Sequence, residues 1–285
     1  LLALQQERNT RTDLTRITMM DWLREKQQSQ NLIQRFWRQI LVSAINEDLE
    51  RMAAIHGFQV FWLGFLASRA YERGIPAVSL GDLYSGKAWN KWPNVRIHTR
   101  SKVEEFSGAG VLVNDEWKQA DFYIRALPFT EGFEYSPITG IHLWFDRPVT
   151  DLPHGTLLDR TLHWFFNKGD GKYIQLVISA SHSLREMPRQ EVIDLALREL
   201  SEFLPGVNEA KLEKAHVVKE ARATFAATPE AEMKRPSTRT DLPHVFLAGD
   251  YTQSGWPATM EGAVRSGYIA AEAVSGKKFL IPDIA

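Results

Sequence analysis

Near the end of the chain lies the pattern that most constrains its fold, a short apolar run followed by a Gly-Asp pair. Residues 242–248 are apolar enough to predict a buried strand. Gly249 permits a tight or left-handed turn, and Asp250 places a carboxylate just past the carboxyl end of that strand. Ligands of open α/β sheets bind at this edge, so the pattern predicts a binding site there.

A helix built from small residues is predicted after this strand. Thr259 suits the N-cap position, and Gly276 follows the helix as a stop signal. The residues at helical spacing between them are Ala263, Gly267, Ala270, Ala271 and Val274. Gly262, Ser266 and Gly267 are poor helix formers, so we expect close approach of this helix to a sheet or a flat ligand. Its amino end offers unpaired N–H groups to an electron-rich ligand atom.

Composition excludes several functional classes. The chain has 285 residues, 44% hydrophobic and 24% charged, as in a soluble globular protein with one large domain or two. Its net charge of -1 gives no electrostatic footprint for nucleic acid. The sequence has no Cys, and its eight His are not spaced like metal ligands, so no metal site is predicted.

The start of the chain indicates neither secretion nor a membrane span. It lacks the basic region and long apolar segment of a signal peptide. No run reaches the roughly 18 apolar residues that cross a bilayer. Because the chain begins at Leu1 without an initiator Met, we expect it to be a fragment of a longer protein.

The first part of the chain is predicted to be helical. Residues 18–26 begin with a Thr N-cap and an early acid, and residues 32–44 keep the i, i+3, i+4 spacing of an amphipathic helix. A third helix, from about residue 56 to residue 71, is apolar on almost every face. Such a helix is either buried in a core, or forms the wall of a lipid-binding tunnel or a membrane contact.

The middle of the chain changes to the alternation that is typical of strands. Four runs joined by turns predict a β-meander, at residues 95–98, 102–106, 110–113 and 120–127. Further strands are predicted at residues 141–145, 161–166, 173–179 and 214–221. An amphipathic helix is predicted at residues 188–204, with Pro188 in its first turn, and residues 222–240 are predicted to be an irregular loop.

Three blocks of the C-terminal pattern carry a family resemblance. They are Gly249-Asp250, Gly255-Trp-Pro-Ala-Thr-Met-Glu-Gly-Ala263 and Ser266-Gly267. Together they resemble the flavin-binding segment of the FAD-dependent amine oxidase and phytoene desaturase superfamily, and within it the squalene-associated branch of hydroxysqualene dehydroxylases. Residues 36–47, 64–67, 75–76 and 83–84 look like the substrate-domain signature of that branch, and residues 103–128 look like the superfamily meander.

The resemblance implies an α/β fold of α+β mixed type. An incomplete FAD-binding domain of the glutathione-reductase-like kind would accompany a substrate domain of mixed sheet and helices. Residues 1–94 would form the helical part of the substrate domain, 95–130 the β-meander of the FAD-binding domain, 131–222 the substrate-domain sheet and helix, and 223–285 the C-terminal FAD-binding segment. The family's opening βαβ unit with its GxGxxG turn is not in this sequence. We therefore expect that the missing N-terminal nucleotide-binding segment is needed for activity.

FAD is the cofactor that the resemblance implies. Asp250 would accept a hydrogen bond from the ribityl chain or lie near the phosphates, and the Thr259 and Met260 N–H groups would face the pyrimidine end of the ring. Trp256 and Pro257 would form a wall beside the ring. The implied FAD-binding residues are Val103, which would lie beside the adenine half, and Gly249, Asp250, Gly255, Trp256, Pro257, Ala258, Thr259, Met260 and Ala263.

The implied activity is that of an oxidoreductase in squalene and hopanoid (isoprenoid) biosynthesis, the reductive dehydroxylation of hydroxysqualene to squalene. Loss of the allylic hydroxyl would give a delocalised cation, which a dry, aromatic-lined tunnel would stabilise. The candidates for the tunnel lining are Phe61, Phe65, Trp144 and Trp164. The sequence identifies no proton donor.

Two alternatives stay open at this point. The chain could belong to a carotenoid or phytoene-type desaturase or an amine oxidase of the same superfamily, or it could be a non-catalytic lipid-binding fragment or subunit. A polyprenyl substrate partitions into the bilayer. We therefore expect a cytoplasmic protein that contacts the inner membrane peripherally.

Overall fold

A computed structural model of the chain describes residues 1–67, 78–83, 85, 92–108, 110–127 and 132–283. The helices are α1 (Leu2–Glu7), α2 (Met19–Glu25), α3 (Gln30–Leu32), α4 (Gln39–Ile45), α5 (Ala54–Phe61), α6 (Leu80–Leu83), α7 (Arg189–Ser201), α8 (Gly206–Glu209), α9 (Pro229–Lys234) and α10 (Met260–Ser275). The strands are β1 (Val103–Ser107), β2 (Gly110–Val113), β3 (Glu116–Lys118), β4 (Tyr123–Arg125), β5 (Tyr135–Phe145), β6 (His154–Thr156), β7 (Trp164–Gly169), β8 (Tyr173–Ser179), β9 (Leu212–Phe225) and β10 (Val245–Leu247).

The N-terminal helices pack around an aromatic core. α2 begins at the predicted cap, where Thr18 Oγ1 accepts a hydrogen bond from the Asp21 N–H at 3.1 Å. Trp22, Trp37 and Phe61 are buried and pack ring against ring. Two π-helical segments, Ile33–Arg38 and Trp62–Leu66, continue α3 and α5, and the 3.6-residue spacing of the sequence does not predict them.

The largest sheet has the strand order β6-β7-β8-β5-β9, and each neighbouring pair is antiparallel. Along β5 the side chains of Ile141, Leu143 and Phe145 are buried and alternate with half-buried ones. The buried set shares a core with Val192 and Leu200 of α7, so this helix covers one face of the sheet. Four predicted strands are confirmed here as β5, β7, β8 and β9, although β7 begins at Trp164 rather than at residue 161. The short strand β6 was missed.

The predicted meander is confirmed only in its central part. β1, β2 and β3 form a three-stranded antiparallel sheet. The predictions for its two outer strands are wrong, because residues 95–98 are not in a strand and residues 120–127 contribute only β4. β4 pairs in parallel with β10, with Ile124 opposite Phe246. A parallel partner comes from a distant part of the chain, so no local turn signal reveals it.

The C-terminal region contains more regular structure than predicted. β9 continues to Phe225, so the predicted domain boundary at residue 222 falls inside a strand. The predicted loop 222–240 contains α9, which begins with Pro229 after the N-cap Thr228. α10 begins after Thr259 and ends at Gly276 with a φ of 70°, as predicted.

Three further predictions differ at their ends. α7 begins one residue after Pro188, which occupies the N-cap position rather than the first turn. The helix predicted at residues 56–71 begins at Ala54 and is described as far as Leu66. Residues 68–77, which include the motif at 75–76, lie outside the described residues, as does Tyr84.

Helices and sheets are thus mixed in one chain, which confirms the predicted α/β class of mixed type. Among the described helices, none combines the length and the apolar character needed to cross a bilayer.

Candidate functional site

A cavity of about 360 Å³ lies at the carboxyl ends of β4 and β10. The wall next to the ends of β4 and β10 consists of Ala126, Leu127, Gly249, Asp250, Tyr251 and Ala263. The opposite wall comes from the large sheet, with Tyr135 at the start of β5 and residues 222–225 at the end of β9. The cavity is therefore at the sheet edge where the Gly-Asp pattern predicts a ligand.

The glycines of this region permit close approach of backbone segments. A Cβ on Gly249, whose φ is 147°, would lie 2.3 Å from the Tyr251 ring. A Cβ on Gly262 would lie 2.4 Å from the Pro257 carbonyl oxygen. The Gly249 N–H donates to Ser266 Oγ at 2.7 Å. Gly262 and Ser266 are thus at positions of close packing, as predicted, whereas a Cβ on Gly267 would have nothing within 4 Å.

Thr259 caps α10, but one of its predicted roles is wrong. Its Oγ1 accepts from the Gly262 N–H at 3.1 Å, which is the predicted cap. Its own N–H donates to the Pro257 carbonyl at 2.8 Å. Because the tight turn before the helix already uses this N–H, Thr259 does not offer it to a flavin in this conformation. The role of the Met260 N–H stays a prediction.

The other predicted FAD contacts fall in different places. Gly249, Asp250 and Ala263 line the cavity, whereas Gly255 lines a second cavity of about 480 Å³. Pro257 and Ala258 are buried next to the start of α10, and Met260 is exposed. Val103 lies apart, in a groove of about 520 Å³ whose lining also includes Arg125 and Leu247.

Trp256 is held by polar partners. Its indole Nε1 donates to Asp283 Oδ1 at 3.2 Å, and the Arg265 guanidinium lies 5.5 Å from the ring centroid. Arg265 also pairs with Asp283 at 3.0 Å. The Trp256 side chain therefore packs against the C-terminal tail, and its role as a wall beside a flavin stays a prediction.

Asp250 supplies the carboxylate of the cavity. Burial raises the pKa of this carboxyl above its ordinary value, although the positive charge of Arg235 acts in the opposite direction. Arg235 does not use its N–H groups on the carboxylate. It donates to the main-chain carbonyl of Asp250 at 3.0 Å.

Arg235 is the most extensively bonded side chain beneath the site, and the sequence did not reveal it. Only 3% of its surface is exposed. Besides Asp250, it donates to the carbonyl oxygens of Thr252 (3.0 Å) and Trp256 (2.6 Å). Its position just before Pro236, where α9 must end, is a boundary signal, but nothing in the sequence links it to residues 250–256.

Glu232 balances the charge of Arg235. Its Oε1 accepts from Arg235 Nη1 at 2.8 Å and lies 3.0 Å from Nε2 of the buried His56. Burial would raise the pKa of Glu232, but the neighbouring His56 ring and the Arg235 guanidinium lower it to about 2. The contact between His56 and Glu232 thus connects α5 of the helical core to α9.

The wall formed by β9 contains a bulge. Residues 221–223 stand opposite the single residue 137 of β5, between the pairs Ser136 with Thr224 and Ile138 with Glu220. The Arg222 guanidinium lies 4.4 Å from the centroid of the Tyr135 ring. Sequence reasoning missed Tyr135, Arg222, Thr224 and Phe225 as site residues, because a bulge depends on the register between two strands.

The four candidates for a substrate tunnel lie in different parts of the fold, with Phe61 and Phe65 among the N-terminal helices and Trp144 and Trp164 on the large sheet. The assignment of Phe61 to a tunnel wall is wrong, because its side chain is 0% exposed and 4.4 Å from Trp37 between ring centroids, inside the helical core. Phe65 is 40% exposed and stacks on Phe61.

Trp144 and Trp164 are on the face of the large sheet that α7 does not cover. Trp144 stacks on Tyr173 at 4.7 Å, and Trp164 donates to Ser43 Oγ at 2.8 Å. Nine residues separate Trp144 from Tyr135 along β5, which is roughly 30 Å of extended strand. Trp144 is thus far from the cavity, and the role of both tryptophans in substrate binding stays a prediction.

With this geometry established, comparison with known proteins identifies the family. The family model described as flavin containing amine oxidoreductase matches residues 107–275, more than half of the chain. The chain belongs to this family. Membership confirms the superfamily that the C-terminal blocks resemble, and it implies a flavin cofactor.

The curated relatives of this flavin oxidoreductase include two kinds of polyprenyl enzyme. A 15-cis-phytoene desaturase of Synechococcus elongatus is 28% identical over 217 residues, which are 64% of this chain and 46% of the relative. A hydroxysqualene dehydroxylase of Sinorhizobium fredii is 37% identical over 139 residues, which are 49% of this chain and 32% of the relative. The chain spans less than half the length of either relative.

Solved structures show the same fold. An oxidoreductase from Methanosarcina mazei superposes with a TM-score of 0.69 at 16% identity, over 97% of this chain and 71% of that chain. Cyclohexylamine oxidase from Brevibacterium oxydans superposes with a TM-score of 0.60 at 14% identity, over 96% of this chain and 74% of that chain.

The residues of the 360 Å³ cavity fit a flavin. Ala126, Leu127 and Ala263 give an apolar surface for a flat ring, and the absence of a side chain at Gly249 lets the Tyr251 ring pack against the turn. The Asp250 carboxylate can accept hydrogen bonds from sugar hydroxyls. The nearby amino end of α10 carries a positive dipole that stabilises negative charge on a ligand.

Proposed function

We propose that this chain is part of an FAD-dependent oxidoreductase that reductively dehydroxylates hydroxysqualene to squalene. One observation supports it above the others. The carboxyl edge of the β4 and β10 pair and the ends of β5 and β9 enclose one cavity, so a flavin-binding wall faces a wall of the second sheet. The higher local identity to the hydroxysqualene dehydroxylase favours this substrate over phytoene.

In this proposal the chain's own residues bind and orient the flavin and keep water out of the cavity. Asp250 would bind the ribityl hydroxyls, and the amino end of α10 would stabilise negative charge on the ring. Leu127, Ala263 and Phe225 line the cavity with apolar surface and keep water from the reacting carbon. A bound reduced flavin would supply the hydride and become oxidised. The substrate hydroxyl takes a proton and leaves as water, and the carbon takes the hydride, so one C–O bond is replaced by one C–H bond.

A nucleotide-binding βαβ unit completes the site in this proposal. In the described part of the chain, β4 pairs on one side only, and Phe122 and Ile124 are 44% and 47% exposed. Parallel sheets are normally covered on both faces and continue into further strands. On α10, an exposed apolar stripe at four-residue spacing comprises Met260, Val264 and Tyr268. A parallel strand beside β4 and a helix against this stripe would bring a phosphate-binding turn to the cavity.

The same proposal includes a peripheral membrane contact. Hydroxysqualene partitions into the bilayer, so the enzyme must take it from there. Sedimentation of the protein with anionic lipid vesicles tests the contact, and equal amounts of protein in the pellet with and without vesicles would reject it.

A desaturase is the second candidate, because the phytoene desaturase relative matches a longer part of the chain. The test uses the protein expressed from its own gene and first measures bound flavin by its visible absorbance. The reduced protein is then incubated with hydroxysqualene, and the oxidised protein with phytoene, with products separated by mass spectrometry. Squalene formation supports the proposal, whereas turnover of phytoene alone rejects it.

A matched pair of variants connects the activity to the cavity. Asp250→Asn is expected to lose bound flavin. Asp170→Asn changes an exposed carboxylate in the turn between β7 and β8 and is expected to keep it. A protein without any bound flavin would instead favour the non-catalytic lipid-binding alternative.

A further inference from the structure

One buried guanidinium holds the loop between β10 and α10, which comprises residues 250–256. Arg235 donates to carbonyl oxygens at the beginning, middle and end of this loop, on Asp250, Thr252 and Trp256. It also lies 3.4 Å from Ser254 Oγ. The other bonds of the loop are mostly short-range turns, such as the Thr252 N–H to the Gly249 carbonyl at 3.1 Å. Arg235 therefore joins segments of the loop that these turns do not join.

Only an arginine can make this set of bonds. Its guanidinium is planar and carries five N–H donors in a fixed fork, whereas a lysine ammonium is a compact point charge with three donors. Arg235 is also too deeply buried for water to replace its bonds freely. Without the guanidinium, carbonyl oxygens in the interior would lose their donors, which is costly.

These bonds fix two parts of the loop that the proposed flavin site needs. A peptide unit is planar, so a carbonyl held at Arg235 fixes the orientation of the whole unit. The Asp250 carbonyl fixes the main chain from which the cavity carboxylate extends. The Trp256 carbonyl fixes the peptide bond to Pro257, whose own carbonyl accepts from Thr259 at the start of α10.

We propose that Arg235 is a positioning residue of the flavin site, which holds Asp250 and the amino end of α10 in the geometry that binds the cofactor. Arg235 lines the second cavity of about 480 Å³ with Gly255 but does not line the 360 Å³ cavity, so it acts on a flavin bound in the 360 Å³ cavity through the loop. Glu232 neutralises it, and His56 holds Glu232 from α5. The inference rests on the proposed function, because it assumes that a flavin binds here.

The test compares Arg235→Lys with the native protein, both expressed from the natural gene. The lysine keeps the charge next to Glu232 but cannot bond three separated carbonyls. We expect the dissociation constant for FAD to rise about tenfold or more, as follows from loss of hydrogen bonds to a charged group. Amide hydrogen exchange is expected to accelerate in peptides that cover residues 250–260 and to stay unchanged in β5 and β8.

Arg239→Lys is the matched control. Arg239 is an exposed arginine four residues further on, with one long bond to the Ala273 carbonyl at 3.4 Å. This variant is expected to match the native protein in FAD affinity and in loop exchange.

The outcomes separate this inference from the proposed function. Weaker FAD binding together with faster loop exchange in Arg235→Lys supports the positioning role. Native FAD affinity in Arg235→Lys, or weaker binding with unchanged loop exchange, overturns it while the flavin site stands. A native protein that binds no FAD overturns the proposed function and the inference with it.

Discussion

Removing the charge of Glu232 should show how strongly the contacts among Glu232, Arg235 and His56 beneath the site stabilise the fold. The pKa of this carboxyl falls from 4.5 to about 2 in the folded protein. At about 1.4 kcal/mol per pKa unit, the shift corresponds to about 3 kcal/mol of folding free energy. Because the folded pKa is lowered, this stabilisation is present above pH 4.5 and is lost as the pH falls toward 2. Glu232→Gln is therefore expected to reduce the free energy of unfolding by about 3 kcal/mol at pH 7 and by about 1 kcal/mol at pH 3.

Urea unfolding at pH 7, 5, 4 and 3, followed by tryptophan fluorescence, measures this difference. The control is Glu230→Gln on the same helix, where an exposed carboxylate pairs with Lys234 one turn away and no measurable change is expected. Two results would refute the reasoning. One is a Glu232→Gln protein as stable as the native protein at pH 7, and the other is a difference of the same size at pH 7 and pH 3.

Two further predictions concern packing. Gly262→Ala is expected to lower stability by about 2 kcal/mol in thermal unfolding, because its Cβ would meet the Pro257 carbonyl. Gly267→Ala has nothing within 4 Å of its Cβ and should gain about 0.5–1 kcal/mol, so equal effects would contradict the close packing. Phe61→Ala is expected to lose about 3–5 kcal/mol in urea unfolding as a core residue. The partly exposed Phe65→Ala should lose much less, and a Phe61→Ala protein of native stability would return Phe61 to the tunnel wall.

The parts of the site that the sequence predicted correctly are those with local signals. The cap at Thr259, the end of α10 at Gly276 and the cap at Thr18 each depend on contacts within a few residues. The turn at Gly249 is likewise predicted by the sequence, because few residues other than glycine adopt its backbone angles. Such signals predict where elements begin and end, and the edge at which they predict a ligand is the edge where the 360 Å³ cavity lies.

The parts that the sequence did not predict depend on contacts between distant segments. Arg235 lies in a stretch of charged and small residues without periodicity. Its hydrogen bonds to the loop form only when residues 250–256 fold back on it. Phe61 was predicted to line a tunnel because an apolar helix face does not show whether protein or a ligand packs against it. In the structure the ring of Trp37 packs there. β4 was assigned to the meander because its partner, β10, is separated from it by more than a hundred residues.

The two walls of the cavity differ in how their geometry is set, and this difference bears on the choice between dehydroxylase and desaturase. The wall that contains Asp250 is shaped by main-chain bonds to Arg235, so its form depends little on the neighbouring side chains of the loop. The opposite wall presents the side chains of Tyr135, Arg222 and Phe225, and the bulge in β9 determines how they are arranged. If the proposed function holds, the wall that contains Asp250 would bind the flavin, and the opposite wall would select between an allylic alcohol and a hydrocarbon. Exchanging residues 221–225 between this protein and a phytoene desaturase should therefore change the substrate that is turned over while leaving the bound flavin in place.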